Sequence, residues 1–271
     1  MNTNPISRDE LRLWLDQLYG FEAFEDYCHN GLQVEGRCEI RSLVLGVSLN
    51  GALIQAAINR KADAIVVHHG FFGRDFFRLT GVRHRWVSAL IGHEISLFGI
   101  HLPMDAHPLL GHNARLMAWL GAGELEPLGP GFMADNEAKA DLYTLLSRLE
   151  TQLPAMERQP DFAPGRSGKG FSLETRHGFQ VLANGPQIPR RLAVVSGASA
   201  DLYETAVSRG ADAFFTGEIK EHIPALSMET RTHFIHLGHY RSEIPGMLAL
   251  RDELISQFGL AAYFVDIPNP V

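Results

Sequence analysis

Seven side chains in this 271-residue sequence sit where apolar runs end and are of types that do metal or acid–base chemistry. His68 and His69 close "AIVVHHG", His101 and Asp105 follow "ISLFGI", Glu218 follows "DAFFT", and His239 and Glu243 follow "THFIHLG". A lone histidine beside a strand is more often a packed or surface residue than a ligand. Four separate strand ends carrying imidazole or carboxylate change those odds, because the two groups together form the ligand set of Zn, Fe, Mn or Ni. Cys28 and Cys38 are the only cysteines, and neither is placed to bias such a site toward softer metals. Neighbours on a regular strand point to opposite faces, so His68 and His69 serve one ion only if the chain bends at Gly70. Otherwise each takes its own ion of a pair. The spacings His101 to Asp105 and His239 to Glu243 suit one helical face. Pro103 and Pro245 instead favour loops that lead from a strand into the next helix.

The elements that must position these groups are legible as alternating patterns. Leu11, Trp14, Leu15 and Leu18 recur at helical spacing behind Ser7, a candidate N-cap with Glu10 three residues on. After the turn-rich "NGLQVEG" come "SLVLGVSL", a helix over Ala52 to Asn59, "DAIVV", a helix near Trp86 to Ile91, "ISLFGIH" and a helix near Ala114 to Leu120. Strand, helix, strand in repetition predicts an α/β fold with mixed sheets, and in such folds ligands gather beyond the strand C-terminal ends. The chain also repeats itself: "LIQAAINRKADAIVVHHG" and "LYETAVSRGADAFFTGEI" align without a gap at an offset of 149, which places His69 on Glu218. His101 and Asp105 fall on His239 and Glu243 at an offset of 138. Two similar supersecondary units of separate origin would also align, but matching polar residues at strand ends favour duplication. The predicted organisation is a lobe over 1–125, a connecting segment over 126–190 and a lobe over 191–271, the two lobes sharing a metal site. Within the connector, Pro154 to Gly185 is rich in glycine and proline.

Composition narrows the function classes. A net charge of -7 argues against a general nucleic-acid or anionic-membrane surface. Two cysteines without zinc-knuckle spacing, no apolar stretch of membrane length and no basic-then-apolar leader predict a cytoplasmic protein. "GRSGKG" at 165 to 170 resembles a phosphate loop, but Gly170 stands where Ser or Thr is needed, so a surface loop is expected. "VVSGAS" at 194 to 199 reads as a tight strand-to-helix turn, and Trp14, Trp86 and Trp119 as core or interface residues.

Six stretches in order, "NGLQVEG", "VVHHG", "GIHLPMDAHPLLGHNARLM", "TGEIKEH", "LGHYRSE" and "DIPNP", resemble the Nif-three-like dinuclear-metal-centre family, the YbgI-type GTP cyclohydrolase 1 type 2 homologues. The resemblance runs from about Asn30 to the C-terminus. It implies two similar lobes, a ring-shaped hexamer with metals facing an inner cavity, and two divalent ions per chain. Its ligands, carried over, fall on His68, His69, Asp105, His239 and Glu243, with His101 and Glu218 beside them facing ligands or substrate. Some relatives carry a further domain inserted midway, where this chain has only the short Pro154 to Gly185 stretch.

Five protein ligands leave open positions on two ions, which suits a metal-dependent hydrolase whose activated water attacks a phosphorus or a purine C8 of a small, nucleotide-like substrate. Glu218 and His101 are then the candidates for general acid–base work. The competing expectation is a metal-binding or scaffold ring protein without turnover. The same ligands serve both.

Overall fold

The computed structural model describes residues 5–73, 78–153 and 173–270, so "GRSGKG" lies outside the described residues. Two compact units are resolved: Met1–Met104 with Gly246–Ile267, and Asp105–Pro245 with Pro268–Val271.

The first unit opens with β1 (Ile6–Ser7) and α1 (Arg8–Tyr19). Ser7 accepts from the Glu10 amide and Gly20 ends the helix at φ +60°, a conformation that costs glycine little. β2 (Gly31–Val34), β3 (Glu39–Ile40), β4 (Ser42–Ser48), α2 (Gly51–Arg60), β5 (Ala64–His69), α3 (Gly81–Gly92) and β6 (Ser96–Gly99) follow. α4 (Leu102–Ala106) carries the chain into the second unit.

That unit contains α5 (His112–Leu120), β7 (Glu126–Leu128), β8 (Gly131–Asp135), α6 (Leu142–Gln152), β9 (Glu174–Arg176) and β10 (Phe179–Leu182). It continues with β11 (Arg191–Val195), α7 (Tyr203–Ser208), β12 (Ala213–Thr216), α8 (Ile223–Thr230), β13 (His233–His236) and α9 (His239–Ser242). α10 (Ile244–Phe258) follows, and β14 (Ala261–Phe264) pairs with β4 in the first unit's sheet.

The first unit holds a five-stranded sheet in the order β14-β4-β5-β6-β2, parallel except for β2. The second holds a seven-stranded sheet in the order β7-β8-β11-β12-β13-β10-β9, with β11, β12 and β13 parallel. The central strands β4, β5, β11 and β12 are buried along nearly their whole length, as sheets covered on both faces require. Leu53, Ile54 and Ala57 of α2 pack with Val44, Ile65 and Leu97 in the first unit. In the second, α5 and α6 cover one side of the sheet through Leu116, Leu145 and Leu149, while Tyr203 and Ile223 belong to a separate cluster with Phe214 and Phe234.

The same four-strand design is built twice. Leu43 pairs with Ala64 in the first unit, and Leu192 with Ala213 in the second, both shifted by the offset of 149. The antiparallel strand beside each third parallel strand is also equivalent: Gly31 faces Gly99, and Gln180 faces His236. Even a turn device recurs. Asp63 accepts from the amides of Arg41 and Ser42, and Asp212 from those of Arg190 and Arg191. Matching register and matching side-chain caps go beyond what two independent strand–helix alternations share, and they support duplication.

The segment 126–190, expected to connect lobes, instead contributes β7, β8, β9 and β10 to the seven-stranded sheet. Its short strands are "EPL" and "ETR" at the edges, where a proline or charges are tolerated and alternation is weak. None of the described helices is long and apolar enough to cross a membrane.

Candidate metal centre

In the first unit β5 delivers His68 and His69 at the C-terminal end of the parallel strands, and the turn after β6 delivers His101. The His68 and His69 rings lie 4.6 Å apart, and His101 is 5.0 Å from His68 and 5.7 Å from His69, centroid to centroid. One nitrogen from each ring falls within 4.8 Å of the others, a group able to hold a metal ion. The strand end therefore brings both histidines to one place although β5 remains paired through His69, which faces Ser48 on β4. Gly70 is needed for clearance rather than for a left-handed bend: a Cβ there would lie 2.3 Å from Gln33 Oε1. That amide clasps the turn, Oε1 accepting from the Phe71 amide and Nε2 donating to the carbonyls of His29 and Phe71.

Each ring is oriented through Nδ1. His68 Nδ1 lies 2.8 Å from the Ile100 carbonyl, which can only accept, so in the neutral ring Nδ1 carries the proton and Nε2 the lone pair. His101 Nδ1 donates to Asp26 Oδ1 at 2.8 Å, and His69 Nδ1 lies 3.0 Å from Ser48 Oγ. A carbonyl or carboxylate on one nitrogen is the arrangement that aims the other at a cation and raises its basicity. Asp26 has a side chain only 2% exposed and also accepts from Cys28 N, Asn30 Nδ2 and Leu102 N. Burial pushes its carboxyl up, but the His101 bond and these other donors outweigh it and hold it well below the usual carboxylate range.

In the second unit His239 opens α9, and its Nδ1 donates to Glu218 Oε1 at 2.6 Å while Nε2 lies 3.1 Å from Glu243 Oε1. Burial of the ring opposes its charge, yet the bonds and charges of Glu243 and Glu218 prevail and raise its pKa to about 9. His239 opens the four-residue α9 and Glu243 caps its end at φ -106°, outside the helix, so the expected loop ahead of Pro245 contains one short helical turn and Glu243 lies just past it. That proline is the second residue of α10, where its missing amide costs no helical bond. Pro103 likewise sits in the first turn of α4, so Asp105 is helical. Asp105 Oδ1 accepts from Ser196 Oγ at 2.7 Å, and Asn113 ties the two segments by donating to the Asp105 carbonyl and accepting from Ser196 N. Gly197, at φ +63°, leaves the room Glu243 uses: a Cβ there would lie 2.6 Å from Glu243 Oε1.

The donor set is imidazole and carboxylate throughout, oriented for cations, and the residues fit divalent metal chemistry. Residues 6–270 match the family Duf34/NIF3 (NGG1p interacting factor 3). The chain belongs to the Duf34/NIF3 family. Among relatives of this family, a GTP cyclohydrolase 1 type 2 homolog of Yersinia pestis is 37% identical, covering 96% of this chain and 98% of that protein. The Escherichia coli K12 protein of the same description is 34% identical, over 98% and 100%. The solved structure of protein ybgI superimposes with a TM-score of 0.83 at 31% identity, covering 98% of this chain and 100% of that one. Reduced HcgD from Methanocaldococcus jannaschii, at 18% identity and a TM-score of 0.80, shares the family fold over 98% of this chain and 100% of its own.

Sequence reasoning missed the orienting partners. Asp26, Ser48, Gln33, Ser196 and Asn113 hold the predicted residues in place, yet Asp26 lies in a stretch whose polarity is that of any loop, and Gln33 lies in "NGLQVEG", which reads as a turn but contains strand β2. His112, fully buried at the start of α5, was passed over as well.

Proposed function

We propose that this chain is a metal-dependent hydrolase that holds two divalent ions on His68, His69, Asp105, His239 and Glu243 and acts on a small nucleotide-like substrate. The observation that carries the reading is the gathering of His68, His69 and His101 with one ring nitrogen each within 4.8 Å of the others, with His68 and His239 fixed through Nδ1 by a carbonyl and a carboxylate, which orients Nε2 for ligation. Divalent ions bound there would supply Lewis acidity and acidify a coordinated water to a pKa of about 7. The chain's residues do the rest. Ser196 Oγ holds one oxygen of Asp105, and Glu218 holds the His239 ring. His101, paired with Asp26, is a residue that holds or moves a proton at Nε2.

A nucleotide substrate is in keeping with the description of the Yersinia pestis and Escherichia coli relatives as GTP cyclohydrolase 1 type 2 homologs. Self-association into a ring, a hexamer, belongs to the same proposal. The test is metal analysis of the purified chain followed by a nucleotide and phosphoester turnover screen. Turnover that is present in the parent and lost in His69→Ala supports the hydrolase. Two bound ions with no turnover of any panel member favours the metal-holding ring protein instead. Native mass spectrometry reads the assembly.

A further inference from the structure

Arg241 stands inside the "LGHYRSE" stretch, between His239 and Glu243, and the ligand chemistry does not use it. The residue is buried, with only 4% of its surface exposed. Its guanidinium lies over the Phe179 ring, 4.4 Å from the centroid, and Nη1 donates to the Gly178 carbonyl at 3.2 Å. Nε has no hydrogen-bond partner among the described residues, and Glu150 acts on the guanidinium by its charge without bonding to it. Burying a guanidinium without a bonded carboxylate is costly, and an unbranched apolar side chain would pack on Phe179 without that cost.

What Arg241 supplies is an anchor. α9 is one turn of four residues, and so short a helix does not hold its own shape, because nucleation fixes several dihedrals for a single hydrogen bond. Its geometry is set from outside. On one side Ser242 Oγ accepts from Gly197 N at 3.0 Å and donates to the His239 carbonyl at 2.8 Å. On the other, Arg241 grips the two-residue turn between β9 and β10, where His177 and Gly178 both take positive φ, 52° and 71°. That turn is fixed in its own right, since His177 Nδ1 donates to Glu150 Oε2 on α6 at 2.6 Å. Residues two apart on a helix lie about 200° apart, so Arg241 faces away from His239. The imidazole that meets Glu218 and Glu243 and the guanidinium that meets the hairpin are therefore two sides of one turn.

We infer that Arg241 is a positioning residue: fastened to the β9–β10 turn, it fixes the short helix that presents His239 and leads into Glu243, and so sets how tightly those two side chains hold a divalent ion. The inference rests on the metal-centre reading above but assigns a role to a residue outside the ligand set.

The experiment compares the full chain with Arg241→Met and Arg241→Lys, by competitive zinc titration and by urea denaturation of the metal-free protein. Arg241→Met keeps the packing on Phe179 and deletes the bond to Gly178. Its zinc affinity is expected to fall about tenfold to a hundredfold, the range for losing a ligand's support. Its urea midpoint should hold or rise, because a buried charge has gone. Arg241→Lys still has a donor for the Gly178 carbonyl and should recover part of the zinc affinity. A residue that only supports the fold gives the reverse pattern. A lowered midpoint in Arg241→Met, a zinc affinity equal to the parent's, or an Arg241→Lys no tighter than Arg241→Met would overturn the assignment and leave the metal centre standing. A parent chain that binds no zinc overturns both together.

Discussion

Asp26→Asn should uncouple the first unit's histidine group from its support. The substitution keeps the size of the side chain but replaces one oxygen by an amide NH2. Asp26 Oδ1 accepts from His101 Nδ1 and Cys28 N, and Oδ2 from Asn30 Nδ2 and Leu102 N, at 2.8 to 3.0 Å. With the NH2 in the Oδ2 position Asn30 Nδ2 and Leu102 N meet a donor; in the Oδ1 position Cys28 N does, and His101 Nδ1 accepts from it only by moving the ring proton to Nε2, which takes that nitrogen away from a cation. At least one buried donor is stranded either way, at about 1–3 kcal/mol. The expected loss of unfolding free energy is therefore about 1–3 kcal/mol, a substantial share of the about 5–15 kcal/mol of an ordinary domain. Because the depressed carboxyl stabilises the fold only while ionised, its contribution is present above the unfolded pKa of about 3.9 and fades as pH falls below it. Parent and variant stabilities should therefore converge in acid. Zinc affinity should drop about tenfold to a hundredfold, as for other losses of a ligand's orienting partner. Urea denaturation at pH 7 and pH 3.5 and a competitive zinc titration read these values. A stability loss under about 0.5 kcal/mol with unchanged zinc affinity would refute the role assigned to Asp26.

Other outcomes follow from individual contacts. Gly197→Ala places a methyl against Glu243 Oε1 at a positive φ, so it should cost about 1–3 kcal/mol and lower metal content, read by denaturation and elemental analysis. In metal-free protein the raised His239 pKa stabilises the fold below the unfolded value of about 6.5, and that contribution is lost as pH rises through about 9. His239→Gln should flatten this limb of the metal-free stability profile. Asp63→Ala and Asp212→Ala each remove the cap on two backbone amides and should each destabilise their unit by about 1–3 kcal/mol, Asp63 more because it is buried. Glu218→Gln should weaken metal retention about tenfold to a hundredfold, since Gln still accepts from His239 Nδ1 but without charge.

The parallel strands and the residues at their ends were legible because both signals are local. An apolar run of four to seven residues that stops at a histidine or carboxylate needs no distant information, and the offset of 149 carried the register of β4–β5 onto β11–β12. The orienting partners were not legible because their contacts are remote. Asp26 reaches His101 across 75 positions, Gln33 reaches Phe71 across 38, and Ser48 reaches His69 across 21. The edge strands of 126–190 escaped because edge positions accept polar residues and proline without an alternating face. The proline at 103 misled for a physical reason. Proline forbids a helix only beyond its first turn, and Pro103 stands within it.

The ligand assignment is tested most directly by counting ions. Native mass spectrometry of the chain reconstituted with zinc, alongside His68→Ala, His69→Ala, Asp105→Ala, His239→Ala and Glu243→Ala, reports stoichiometry without any assumption about substrate. Two ions per chain in the parent, and at least one lost in every variant that stays folded, is the expected result. A parent that binds no ion, or folded variants that keep two, would contradict it.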